Sequence, residues 1–266
     1  MKKITLWMAA ILAFLMVSCK KETNETGIDN NSDIGEQQPG INNEMTAEVP
    51  AELEISLNTI VEMGHWEQDG DTENGAEPIE WKVIDLNPEA SKVMLITDKI
   101  ILRKAYHENY KELVNWEYCD LRKYLNEEFL KKAFDDEKKY ILSTTLIDTD
   151  EKLGYEIEDK IFMLDYIEVT KLFDTSDMRC SKIASGLEDE YIYPYGALCW
   201  DEGLNKKYYH NAIWFLRDVT IFADWPCLDI VDYYGEIKKK EYRSDTVLGV
   251  RPVMWVDAEY ILNKIE

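Results

Sequence analysis

The sequence predicts a single α+β domain with a small twisted antiparallel sheet, two or three helices and long loops. Three observations predict it. Ile79-Glu80-Trp81-Lys82-Val83-Ile84-Asp85-Leu86 alternates with the period of a half-buried strand, placing Ile79, Trp81 and Val83 on one face. Tyr118, Leu121, Leu125 and Phe129 follow the i, i+3, i+4 spacing of one helix face. Two apolar runs near the C-terminal end, Ile213 to Arg217 and Leu248 to Val256, each hold an arginine. They read as neighbouring strands that close the fold.

The chain begins with a segment that does not belong to this domain. Met1-Lys2-Lys3 is a short basic stretch, and Ile4 to Val17 is mostly apolar but short for a bilayer span. Ser18 and Cys19 follow. Residues 1–18 read as a secretory leader similar to a bacterial lipoprotein signal, with Leu15-Met16-Val17-Ser18-Cys19 as the lipobox. That likeness implies cleavage before Cys19 and lipid on its thiol, anchoring the protein to the outer face of the bacterial cell membrane. An ordinary leader followed by a chance cysteine is the alternative. Residues 19–52 then form an acidic and polar tether, rich in Asn, Glu, Gly and Thr and without aromatics. Such a segment buries too little apolar surface to offset its ordering entropy.

Residues 53–266 remain as one domain, long enough for a sizeable core. Losing Lys2 and Lys3 with the leader takes the formal side-chain charge from −23 to −25. So acidic a surface argues against nucleic acid and against anionic lipid head groups as the main partner. Of five cysteines, Cys119, Cys180, Cys199 and Cys227 lie in the domain. None forms a C-x-x-C pair, which argues against zinc; disulfides and free buried thiols both stay open.

In order, Leu57 to Trp66 reads as a first strand, joined by a polar tip to the strand over Ile79 to Leu86. At the tip, Asp69, Asp71 and Glu73 recur as at the start of a calcium loop. Asn74 stands where that loop needs glycine, so a solvated hairpin tip is the competing reading and no other cofactor is expected. Lys92 to Thr97 is a third strand, buried on both faces. A helix is predicted over Asn115 to Phe129, capped by Asn115 or Trp116, with Arg122 beside its stripe. Asp135-Asp136 opens a second short helix through Ile141. Asp159 to Leu164 is a strand, and Asp165 with Glu168 makes a capping-box pair for a helix with Ile167, Val169 and Leu172 as its apolar positions.

Residues 177–212 are irregular and carry Tyr191, Tyr193, Tyr195, Trp200, Tyr208 and Tyr209. Long loops with aromatics suit sugar stacking or protein contact, and equally an aromatic mini-core of their own. Gly235-Glu236 is read as the turn of a terminal hairpin leading to Leu248. Arg122, Arg217 and Arg251 are read as structural, each pairing with carboxylates or carbonyls, because a guanidinium is costly to bury alone. Pro252 donates no hydrogen bond and marks a strand start, an edge or a bulge. The histidines His65, His107 and His210 are far apart in sequence and give no local support to nucleophilic catalysis.

Taken together and in order, Asn74-Gly75-Ala76-Glu77-Pro78-Ile79-Glu80-Trp81, Trp116 through Asn126, Asp159 through Leu164, Arg179-Cys180, Trp214-Phe215-Leu216-Arg217 and Gly249-Val250-Arg251-Pro252 resemble a domain of unknown function found in exported and surface proteins of Gram-positive anaerobes. The W-x-L-R and G-x-R-P pieces also resemble the C-type-lectin-like fold of sulfatase-modifying enzymes. This implies a compact C-type-lectin-like domain over residues 53–266. Arg217-Asp218-Val219 departs from the Ser-Pro-Gly-like turn usual after W-L-R, so the following loop is expected to differ. The likeness carries no catalytic residues, and Cys227 stands without the second cysteine of an oxidase. The expected role is a cell-surface lipoprotein displaying a non-catalytic binding module for a glycan, peptide or partner protein. Its expected ligand residues are Tyr191, Tyr193, Tyr195, Trp200 and Tyr208. A hydrolase-like envelope enzyme, with a site assembled across the fold, is the alternative.

Overall fold

A computed structural model describes residues 55–187, 206–222 and 224–265. The leader, Cys19, the tether and the loop residues Tyr191, Tyr193, Tyr195, Cys199 and Trp200 lie outside the described residues. The domain is α+β, built mainly from antiparallel strands with a few short helices.

In chain order the first elements are β1 (Ile60–Trp66), β2 (Glu77–Asn87), β3 (Lys92–Thr97) and β4 (Leu102–Ala105). A helical stretch follows as α1 (Asp120–Tyr124), a π-turn (Leu125–Phe129), α2 (Leu130–Phe134) and a 3-10 segment (Asp135–Tyr140). Then come β5 (Ile141–Leu142), β6 (Thr144–Asp148), β7 (Tyr155–Asp159), α3 (Tyr166–Leu172) and α4 (Ser176–Arg179). The last part holds β8 (Trp214–Phe222), β9 (Trp225–Val231), β10 (Ile237–Arg243), β11 (Val247–Val250), β12 (Val253–Asp257) and α5 (Ala258–Ile265).

Two five-stranded sheets carry the core, in the orders β1-β2-β3-β12-β5 and β10-β9-β8-β11-β4, beside a β6-β7 ribbon. One small sheet was the expectation; the final apolar run explains the second. It is two strands, β11 in one sheet and β12 in the other, and Arg251-Pro252 is the corner between them. Pro252 gives no ladder hydrogen bond, so the strand breaks there, while its carbonyl accepts from Thr97 N at 3.1 Å. The predicted contact between the closing runs is present: β11 pairs in parallel with β8 at Gly249 and Trp214.

The β1–β2 hairpin and the buried strand β3 stand as expected. β1 bulges at Gly64, whose φ is +72°; a Cβ there would meet the Ala133 carbonyl oxygen at 2.7 Å. The bend lets β1 wrap α2, and the fully buried Trp81 donates its indole N–H to Met63 O at 2.8 Å.

Other elements differ from the reading of the sequence. The helix starts at Asp120 with Cys119 as its cap, Sγ accepting from Arg122 N at 3.4 Å, instead of at Asn115 or Trp116. Tyr118 is therefore off the helix and 61% exposed, while Leu121, Leu125 and Phe129 are buried. The π-turn coincides with Asn126, whose Nδ2 donates to Arg122 O (3.2 Å) and Ile161 O (2.8 Å) and whose Oδ1 accepts from Lys160 N (3.0 Å). The strand predicted over Asp159 to Leu164 lies earlier, as β7; beyond it only Phe162 bridges to Val253. The Asp165–Glu168 capping box is present, but Ile167 is 72% exposed and only Val169 of the three apolar positions is buried. The turn at Gly235 joins β9 to β10, a strand absent from the sequence reading, instead of leading to β11.

Candidate functional site

The three arginines are met by three different sets of partners. Arg122 Nε meets both oxygens of the buried Asp159 (2.8 and 3.0 Å), which also accepts from Trp116 Nε1 at 2.8 Å. Arg217, 3% exposed, reaches Asp165 Oδ2 (2.7 Å), Glu168 Oε2 (3.0 Å), Tyr155 Oη (2.8 Å) and the Met163 carbonyl. Burial opposes its charge, but Glu168, Tyr155 and Asp165 outweigh burial and raise its pKa. Arg251, 1% exposed, meets no described carboxylate: Thr97 O accepts from Nε and Nη2 (3.2 and 2.8 Å), Arg179 O lies 3.4 Å from Nη1, and the Trp214 ring centroid is 5.0 Å from the guanidinium. Burial pulls its pKa down to about 10.

Residues 188–205 are flanked on both sides by described residues that make close contacts. On the leading flank, Gly186 N donates to Gln68 O at 2.8 Å, and a Cβ on Gly186 would meet Gly70 N at 2.5 Å. A groove of about 410 Å³ opens there, lined by residues including Glu62, Asp69, Glu77, Glu80, Lys99 and Ile183. On the trailing flank, Tyr208 contacts Tyr234 edge-on at 5.0 Å, Tyr234 lies 4.4 Å from Tyr233, and Tyr208 Oη reaches Asp177 at 3.4 Å. Gly235 is indispensable to this corner. Its φ is +76°, a Cβ would sit 1.8 Å from Ser176 O, and its carbonyl accepts from Arg179 Nε at 2.7 Å. Of the five predicted ligand residues, Tyr208 alone is described, half-buried in this tyrosine cluster.

The predicted calcium residues do not converge as a set. Asp69 Oδ1 accepts Asp71 N (2.7 Å), Asp69 Oδ2 accepts Asn74 Nδ2 (2.8 Å) and Asp71 Oδ1 accepts Glu73 N (3.1 Å), so the tip is held by its own carboxylates. Oxygens that approach within 4.8 Å of one another belong to Glu67, Asp69 and Glu77. Glu67 and Glu77 accept the Gly70 and Gln68 amides at 2.8 and 2.6 Å.

A second hollow, of about 300 Å³, lies between β4 and α1 and was not foreseen. Lys104, Glu108, Asp120, Lys123, Tyr124 and Glu127 line it. Lys104 Nζ stands 4.0 Å from the Tyr124 ring centroid. Behind Asp120 lies His107, 8% exposed, with Nδ1 2.8 Å from Asp120 Oδ2 and Nε2 3.2 Å from Glu112 Oε2. Close as it is to Asp120, Nδ1 makes no hydrogen bond. The π-turn begins beside this hollow; such turns are frequent at functional sites.

Cys119, Cys180 and Cys227 are free thiols. Burial pushes the Cys119 thiol up to about 12 and raises those of Cys180 and Cys227, which disfavours the thiolate form. No helix of the described residues is long and apolar enough to cross a membrane.

Residues 90–258 match the family model described as domain of unknown function (DUF6273). The chain belongs to the DUF6273 family. No curated protein and no solved structure matches the chain. The matched stretch runs from β3 to the start of α5, so it holds all three arginine nodes, the tyrosine corner and the β4–α1 hollow. The β1–β2 hairpin, with the Asp69 tip, lies outside it.

Proposed function

We propose that this DUF6273 protein is a cell-surface lipoprotein, exported and held through lipid on Cys19, whose domain is a non-catalytic binding module for envelope glycan. The observation that carries the reading is the half-buried Tyr208–Tyr234–Tyr233 cluster at the trailing flank of residues 188–205. Phenol rings fixed at a surface offer flat apolar faces and hydroxyls at little entropic cost, which suits sugar rings. The C-type-lectin-like reading of the architecture belongs to the same proposal. Two packed sheets whose connections carry aromatic residues suit a scaffold that presents a ligand surface.

Geometry favours binding over catalysis in this corner. The thiol beside it, Cys180, is raised by burial, and its Sγ donates to Tyr233 O at 3.7 Å. No accompanying ion is needed, and calcium at the Asp69 tip would be an addition to the reading. The test is binding of envelope polysaccharide and its fragments to the full-length chain. Tyr208→Ala and Tyr234→Ala are each expected to weaken binding about fivefold to thirtyfold, and Trp200→Ala, Tyr193→Ala and Tyr195→Ala extend the series. Unchanged binding across the series rejects the site. Catalytic turnover of the same fragments, abolished by changing one acid or histidine, rejects the module in favour of an enzyme. For the anchor, Cys19→Ser is expected to release the protein from membranes.

A further inference from the structure

We propose that the hollow between β4 and α1 binds an organic ammonium group of the kind carried by a lysine side chain or an alkyl diamine. The geometry already shows such a group in place. Lys104 is an alkylammonium tethered to the protein, and its Nζ sits 4.0 Å from the centre of the Tyr124 ring. Among the described residues it forms no ion pair, so the ring face is its polar contact. A hollow of about 300 Å³ leaves room for several carbons beyond one ammonium head.

The surroundings select for positive charge. Glu108, Asp120, Glu127 and Glu128 outnumber Lys104 and Lys123 on the walls. Asp120 is held from behind: its Oδ2 accepts Glu108 N at 3.0 Å and contacts His107 Nδ1 at 2.8 Å. His107 is more than nine-tenths buried and leaves its Nδ1 without a hydrogen bond, an unusual state for a structural histidine. It joins the wall carboxylate to Glu112, which is 63% exposed. Burial and then Glu128 push the Tyr124 phenol up to about 12, so the ring stays neutral at physiological pH. A hard cation such as calcium wants a cage of six to eight oxygens. An aromatic face opposite carboxylates suits an alkylammonium.

Lys104 then acts as an intramolecular competitor for its own site. A free ammonium ligand has to displace it, so affinity for the unmodified protein is modest, and removing the tethered head raises it. The hollow and the tyrosine cluster share no residue, so either proposal survives the failure of the other.

Calorimetric titration of the full-length chain with cadaverine and with N-acetyl-lysine amide tests this, with N-acetyl-norleucine amide as the uncharged control. Lys104→Met is expected to tighten binding of both cations about fivefold. Tyr124→Leu and Asp120→Asn are expected to weaken it about threefold to tenfold. Tyr124→Phe keeps the ring face and is expected to retain wild-type affinity, a result that a merely structural role of the phenol would not give. No binding to either the wild type or Lys104→Met overturns the proposal. So does equal binding of the norleucine control, or wild-type affinity in a folded Tyr124→Leu protein.

Discussion

Arg217 and Arg251 stand on the closing strands of the same domain, both almost wholly buried, and are stabilised by opposite means. Arg217 is surrounded by groups that want a cation: the two carboxylates of the α3 capping box, a phenol and a carbonyl. Arg251 is surrounded by backbone: two carbonyls accept its hydrogens within 3.4 Å and an indole face covers it. The difference teaches that a buried arginine need not be an ion pair. At Arg217 the charge does the binding, tying α3 to β8 across 52 positions of sequence. At Arg251 the planar fork does it, collecting carbonyls at a corner where one strand leaves one sheet and the next joins the other.

The largest effect is expected at Arg217. Arg217→Met leaves the Asp165 and Glu168 carboxylates facing an apolar side chain and strips Tyr155 and Met163 of a donor. Both acids are partly exposed and regain some water. The expected loss is therefore about 3 kcal/mol, at the low end for breaking a buried pair, read from urea unfolding. A loss below about 1 kcal/mol would mean that the pair behaves like a surface salt bridge, and the contrast with Arg251 would collapse.

Next comes Asp218, which shows that the Arg217 side has more acid than one guanidinium needs. Burial pushes its carboxyl up to about 6, helped by Asp165 and Asp229 and opposed by the Tyr166 N–H at 2.5 Å and by Arg217. A carboxyl raised on folding holds its proton more tightly in the folded state. Its stabilising contribution is thus full below the unfolded value near 4, and is lost as pH rises through about 6. Asp218→Asn removes that loss while keeping an acceptor for Tyr166 N. It is expected to stabilise the protein by up to about 2 kcal/mol at pH 7 and hardly at all at pH 4. The difference in unfolding free energy between variant and wild type at the two pH values checks it. Equal effects at both would show that Asp218 does not change its proton occupancy on folding.

How much of this could be read beforehand depends on how local each feature is. The Asp165–Glu168 capping box was legible because both partners sit within one turn, and the Pro252 break because proline carries its own rule. Cys119 as a helix cap was not, since a thiol is a weak acceptor and rarely marks a start. β4 and β10 were missed for a common reason. Leu-Arg-Lys-Ala and Ile-Lys-Lys-Lys-Glu-Tyr-Arg are edge strands whose polar side chains carry little pattern, and backbone pairing alone makes them strands. The β4–α1 hollow followed β4 into obscurity. Lys104 and Tyr124 are ordinary residues until pairing of β4 with β11 fixes where β4 runs beside α1. The tyrosines were legible as candidates, but only Tyr208 has a described place.

The smallest effect is expected at Arg251, although it is the more deeply buried of the two cations. Arg251→Met removes a charge that no described carboxylate pairs with and whose burial Asp98 offsets only in part, and that relief runs against the loss of hydrogen bonds to Thr97 O and Arg179 O. Arg179 O is not left bare, because Trp214 Nε1 already donates to it at 3.1 Å; Thr97 O is the one that loses its side-chain donors. Methionine also fills the space over Trp214. One unsatisfied carbonyl costs about 1 to 3 kcal/mol, and removing an unpaired buried cation returns a similar amount. A net loss of about 1 kcal/mol follows. Arg251→Lys is expected to fare worse than Arg251→Met, because an ammonium keeps the unpaired charge and loses the fork that reaches both carbonyls. If lysine were the better replacement, charge and not shape would be what Arg251 supplies, and the two nodes would obey one rule after all.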